Sequence, residues 1–156
     1  MVITHNQIIK LFSDIATNHK QINDWGFGKN FDIGADRKII YPLMWGDNNP
    51  SSIQDNVLLS NYSLYFLDRV KQDQSNEDEI ISDQLLIAQD VFAILCSDVY
   101  SDYFVLTRTA QISEFFSEYL DDVLVGVKLD IQFRIFYDTN RCQIAITSIP
   151  TITTVS

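Results

Sequence analysis

Two cysteines, three prolines and five glycines are spread through 156 residues, and no cluster of lysine and arginine stands anywhere among them. Each scarcity narrows the field. Cys96 and Cys142 have no CxxC or Cys/His ligand spacing, so neither a zinc site nor a disulfide framework is expected, and two idle thiols suit a reducing compartment. The formal net charge is −10, from 21 acidic against 11 basic residues. Without a basic patch the chain lacks the electrostatic footprint needed to grip phosphate. An acidic surface still lets DNA slide past without sticking. The opening MVITHNQIIKLF lacks the basic start and long apolar core of a signal peptide, and no stretch approaches the length of a transmembrane helix. Synthesis and folding in a cytoplasm are expected. Also missing are GxSxG, HExxH, a Walker glycine loop and a dinucleotide fingerprint.

What is present is a globular composition, 46% hydrophobic, 12% aromatic and 21% charged. A chain of this length forms one domain and buries roughly 70% of the surface its unfolded form exposes. Thr4 followed by Gln7 is a capping-box pattern, and Ile8, Leu11, Phe12, Ile15 and Ile22 recur at helical spacing. This predicts a helix over about 4–20. WGFG then turns the chain, and the stretch up to Lys38 reads as loop or short ribbon.

RKIIYPLMW (37–45) is strand-like, with Pro42 pushing it to an edge or bulge. GDNNPSS reads as a turn, and 57–67 as a second strand in which Leu58, Tyr62, Leu64 and Phe66 alternate against Asn61, Ser63 and Tyr65. Ile80, Ile81, Leu85, Ala88, Val91, Phe92, Leu95 and Val99 fall on one face of a second helix. Two extended segments follow, 103–116 and 123–137, with SEYLDD as their hairpin connection. In the latter, Val125, Val127, Leu129, Ile131, Phe133 and Ile135 take one side while Gly126, Lys128, Asp130, Gln132 and Arg134 take the other. The expected fold is α+β in the order α-β-β-α-β-β, with one mixed or antiparallel four-stranded sheet and both helices on one face. Residues 1–137 form the domain and 138–156 an extended C-terminal arm.

Chemistry-bearing constellations are few. His5 and His19 lie at opposite ends of the first helix and cannot share a ligand; they read as surface or half-buried side chains. Six carboxylates lie between Asp68 and Asp83. The run DQSNEDE is rich in oxygen ligands, but a calcium loop needs a glycine at its sixth position and a glutamate at its twelfth, where this chain has Gln84. A helix start fits better. Asn76 or Ser75 supplies an N-cap, and Glu77, Asp78 and Glu79 sit where the macrodipole favours negative charge. No cofactor and no metal are expected. The remaining candidate is the polar side of the last strand, Lys128, Asp130, Gln132 and Arg134. It is either the wet face of a sheet or a surface that lines a channel or meets another subunit.

HKQINDWGFGKNFDIGADRKIIYPLMW, LYFLDRVKQDQSNEDEIISDQL and LDIQFRIFYDTNRCQI carry a resemblance to small structural proteins of tailed bacteriophages, crAss-like phages among them. The helix and strand order also resembles that of tail-terminator and tail-completion proteins. The resemblance implies a virion protein of the neck rather than an enzyme. It implies a ring of twelve or six copies, joined to portal or adaptor and tail proteins, with hairpins and terminal arms reaching neighbours, DNA passing through the lumen and no membrane involved. Two other readings stay open. A small acidic metal-dependent enzyme would show a metal response abolished at Asp73 and Glu77, and a soluble regulatory module would have a defined ligand pocket.

Overall fold

The computed structural model describes residues 2–33, 38–71, 73, 75–119, 122–137, 145–148 and 150–152. Helix α1 spans His5–Asn18. Its start is the expected capping box: Thr4 Oγ1 accepts from the Gln7 amide at 3.3 Å, and Gln7 Oε1 accepts from the Thr4 amide at 2.8 Å. Its inward stripe is Ile8, Phe12, Ile15 and Ala16. Strands β1 (Asp24–Phe27), β2 (Leu43–Asn48), β3 (Ser52–Gln54) and β4 (Val57–Arg69) follow, then helix α2 (Glu77–Leu95), and then β5 (Val105–Leu106), β6 (Gln111–Tyr119) and β7 (Asp122–Phe136).

The fold is α+β with a mixed sheet, but the sheet has seven strands where four were expected. The path runs β1-β2-β4-β7-β5, with β3 beside β4 and β6 beside β7. Only the β1–β2 pair is parallel. Three things account for the difference, the first being that Ser52–Gln54 pairs back on Val57–Leu59 as β3. DWGF has no alternation, all four residues being half-buried, and it becomes a strand only by pairing with β2. The segment 103–116 divides because residues 108–110 leave the edge of β7 between β5 and β6, while the Thr107 amide still donates to the Gln132 carbonyl.

Other boundaries move for local reasons. β2 starts at Leu43, directly after Pro42, which has no amide to donate to a ladder. It continues through Gly46, Asp47 and Asn48, expected to be turn, because each pairs with β4. SEYLDD is shorter as a connection than expected, since Ser117–Tyr119 and Asp122 are paired strand and residues 120–121 lie outside the described residues. The expected arm 138–156 is described only at 145–148 and 150–152, where every residue is exposed. Cys142 lies outside the described residues, and Cys96 is a half-buried free thiol at the end of α2.

Both helices pack on one face of the sheet. Phe12, Ile15, Ile87, Val91 and Leu95 join Met44, Tyr62, Leu64, Phe66, Leu129, Ile131 and Phe133 in a single core. Phe133 is its aromatic centre, meeting Tyr62 at 5.5 Å, Phe12 at 5.8 Å and Phe104 at 4.7 Å between ring centroids. Loss of one such ring costs about 3–5 kcal/mol. In α2 the buried set includes Gln84 and Ile87, which the expected face omitted. Val99 lies beyond the helix in a 3₁₀ turn and is 77% exposed.

The opposite face of the sheet is not uniformly wet. At one end Tyr65, Leu67 and Leu124 are buried with Ile33 and Leu43 under the chain that links β1 to β2. Tyr65, expected to point outward, is 2% exposed for this reason. At Gly126 a Cβ would lie 1.8 Å from the Phe66 carbonyl oxygen, so β7 passes β4 at a distance only glycine permits.

Candidate functional site on the open face of the sheet

Period-two geometry places alternate residues of β2, β4 and β7 on the open face, in rows across the sheet. Asp47 pairs with Ser63, and Ser63 pairs with Asp130, so one row reads carboxylate, hydroxyl, carboxylate. A neighbouring row holds Trp45, Tyr65 and Lys128, and on the other side lie Asn61 and Gln132.

The four expected residues therefore share a face, but they do not form one unit. Ser63 Oγ donates to Asp130 Oδ1 at 2.5 Å and accepts from Asn49 Nδ2 at 2.8 Å. Lys128 Nζ lies 3.7 Å from Asp130 Oδ1 and 6.0 Å from the centroid of the Tyr65 ring. Gln132 Nε2 donates to Asn61 Oδ1 at 3.1 Å, and Gln132 Oε1 accepts from Thr107 at 2.9 Å. Arg134 stands apart, exposed, with its guanidinium carbon 5.8 Å from the centroid of Phe136. The three inner residues are thus fixed by directed hydrogen bonds or an ion pair, while Arg134 is exposed over the Phe136 ring.

Asp47 is the residue that sequence reasoning missed. It is 9% exposed, and its Oδ1 has no hydrogen-bond donor. Its nearest cation is Lys29, whose Nζ lies 3.6 Å from that oxygen. The signal was present as Leu43, Trp45 and Asp47 on one side against Met44 and Gly46 on the other, but Gly-Asp-Asn read as turn chemistry. Burial pushes the Tyr65 phenol above its ordinary value, an effect opposed by a hydrogen bond with Asn30 and reinforced by the charges of Asp47 and Asp130.

Where residues 108–110 leave the sheet, a groove of about 490 Å³ opens beside this network, lined by Asn49, Asn61, Thr109, Gln111, Asp130 and Gln132 among others. Its walls mix amide, hydroxyl and carboxylate groups with the apolar residues Pro50, Ala110 and Ile131.

The acidic joint is built as a helix start, with one correction. Glu77, Asp78 and Glu79 occupy the first turn of α2, but the Asn76 side chain does not cap it. Asn76 Oδ1 instead accepts from the Lys71 amide at 2.9 Å and closes the preceding loop. Asp73 accepts from the Ser75 amide at 3.1 Å, and hydrogen bonds from the Ser75 hydroxyl first and this amide second hold its carboxyl below the usual range. The histidines are separate: His5 Nδ1 is 2.7 Å from Tyr62 Oη, and His19 Nε2 is 3.0 Å from Asp90 Oδ2. Among the described residues, no three of histidine, cysteine, aspartate and glutamate gather as a metal-binding group. No helix there is long and apolar enough to cross a membrane. The chain matches no protein-family model and no curated protein.

Proposed function

We propose that this protein is a structural subunit of a bacteriophage neck, a ring that joins portal or adaptor to tail and works through its surfaces. The observation that carries the reading is the edge of the sheet at β6. This nine-residue strand pairs only with β7 among the described residues, leaving its outer backbone groups unpaired. On its helix side Ile112 and Phe116 are 40% and 55% exposed. Open edges of this kind are templates for pairing with another chain.

A second edge, β1, lies at the far side of the sheet with a different sequence. Two unlike edges on opposite sides suit head-to-tail contacts, which close into rings when the rotation permits. The described part of 145–152 is exposed and includes Ile146 and Ile152, apolar side chains suited to a neighbouring copy. Net negative charge suits a lumen that DNA crosses without being held.

Purified particles test the reading. The protein is expected in intact virions, at the head–tail junction by immunogold electron microscopy, and in rings of one copy number by analytical ultracentrifugation, either alone or with its neighbouring neck protein. Its absence from particles sinks the proposal.

A further inference from the structure

We propose that residues 143–149 of one copy, QIAITSI, add as an outer strand to the β6 edge of a second copy. The inference rests on the reading of β6 as a subunit contact and names the segment that occupies it. Gln111–Tyr119 pairs with β7 along its whole length, and Phe115 is anchored on Tyr65 with ring centroids 4.8 Å apart. The edge is thereby held in place, with its outer N–H and C=O groups unpaired among the described residues. Strand addition satisfies such a row through main-chain hydrogen bonds, and alternate side chains set the choice of partner.

Charge decides which strand fits. Ile112, Glu114, Phe116 and Glu118 alternate along one side of β6, and all four are exposed. A symmetric β6–β6 pair gathers the glutamates of both copies on that side, and like charges across a strand pair are destabilising. The occupant has to be apolar and free of acid. In a chain with 21 acidic residues, 139–156 is the longest stretch without one, and Arg141 is its single charge. QIAITSI is rich in β-branched residues, which suits a strand, and Pro150 stops the run because it has no amide to donate. Residues 145–148 and 150–152 are all exposed, Ile146 at 49% and Ile152 at 98%, so their own chain leaves these apolar side chains uncovered.

The exit of the chain from β7 points the segment away from its own β6. The Tyr137 amide donates to the Asn56 carbonyl at 3.2 Å and its phenol to the Asp55 carbonyl at 3.4 Å, so the backbone leaves on the β4 flank. Its own β6 stands on the other flank of β7, starting beside Asp130, about 20 Å back from Phe136 at roughly 3.3 Å per residue. The β6 edge of a second copy is the one left for it to meet.

A fluorescein-labelled peptide of residues 139–152 carrying Cys142→Ser tests this by fluorescence anisotropy. The protein is the full chain with Ile146→Asp and Thr147→Pro, two exposed positions, so that its fold is spared and its β6 edge is vacant. Saturable binding is expected. It should weaken by at least about tenfold when the same two substitutions are placed in the peptide, and again when the protein also carries Ile112→Lys with Phe116→Lys, the loss expected on removing an interface anchor. No saturable binding, or binding indifferent to Ile112 and Phe116, overturns the proposal. Sedimentation velocity of the full chain keeps it apart from the reading of β6 on which it rests. Association lost in both the β6 and the 146–147 variants supports the two together. Association lost only in the β6 variant leaves β6 as the contact and overturns QIAITSI as its occupant. A monomeric full chain whose vacated edge still takes the peptide places the segment on its own β6 and overturns exchange between copies.

Discussion

The Ser63 hydroxyl donates to the Asp130 carboxylate at 2.5 Å across the β4–β7 pair, two side chains 67 residues apart in sequence. Ser63 is 1% exposed and is the hinge of the polar row, since Asn49 reaches Asp130 only through it. Ser63→Ala leaves the Asn49 amide and one carboxylate oxygen short of a partner. Charge-assisted bonds contribute about 1.5–3 kcal/mol, and because Asp130 is partly open to water the expected loss lies near the lower end. Urea denaturation with an unchanged m-value measures it.

Gly126→Ala should be far more damaging than its size suggests. The added methyl meets backbone, the Phe66 carbonyl at 1.8 Å, which cannot rotate away. Overpacking ordinarily costs about 1–3 kcal/mol, and a clash with a central strand belongs at or above the top of that range. Soluble expression and thermal melting are the readouts.

Asp68 gives the pH dependence a definite sign. Burial raises its carboxyl above the ordinary 3.8, outweighing the Arg69 amide and guanidinium that act the other way. The folded state therefore holds this proton more tightly than the unfolded state, and the group's contribution is present below pH 3.8 and lost as pH rises through the folded value. Asp68→Asn should remove that slope and leave the protein more stable near neutrality relative to the parent than at pH 3. Chemical denaturation across that interval decides it, and an unchanged slope refutes the assignment.

Assembly should depend on the β6 edge and not on the core. Ile112→Lys with Phe116→Lys places charge on two exposed positions, so folding should change by no more than about 0.5 kcal/mol per site. Ring formation, read by sedimentation velocity, should be lost. Arg134→Ala should likewise spare the fold, its side chain being exposed and packed only over Phe136 among the described contacts. Rings that persist in the double lysine variant would move the interface elsewhere.

The parts of the fold legible in the sequence are those whose signal is local. The Thr4 and Gln7 pattern announced α1, and unbroken alternation over 123–137 announced β7 and the face of Lys128, Asp130, Gln132 and Arg134. β1 was hidden because four residues carry no period and owe their conformation to β2. Asp47 was hidden for a related reason: Gly46, Asp47 and Asn48 have turn chemistry, and pairing with β4 overrides it. Of the two residues that could start α2, Ser75 and Asn76, it is Asn76 that directly precedes it, with its side chain turned to the loop instead.

β7 touches β4 along thirteen register pairs and also carries both β5 and β6. The strand that joins β4 to the β5 and β6 edge is thus the last in chain order among the described residues. During synthesis β4 must wait, the backbone N–H and C=O groups of one long edge unsatisfied, until residues 122–136 have left the ribosome. Contacts so distant in sequence slow folding and prolong exposure of sticky intermediates. The nascent chain is therefore most vulnerable until residues 122–136 are made, and until then a chaperone that shields β4 has the most to contribute.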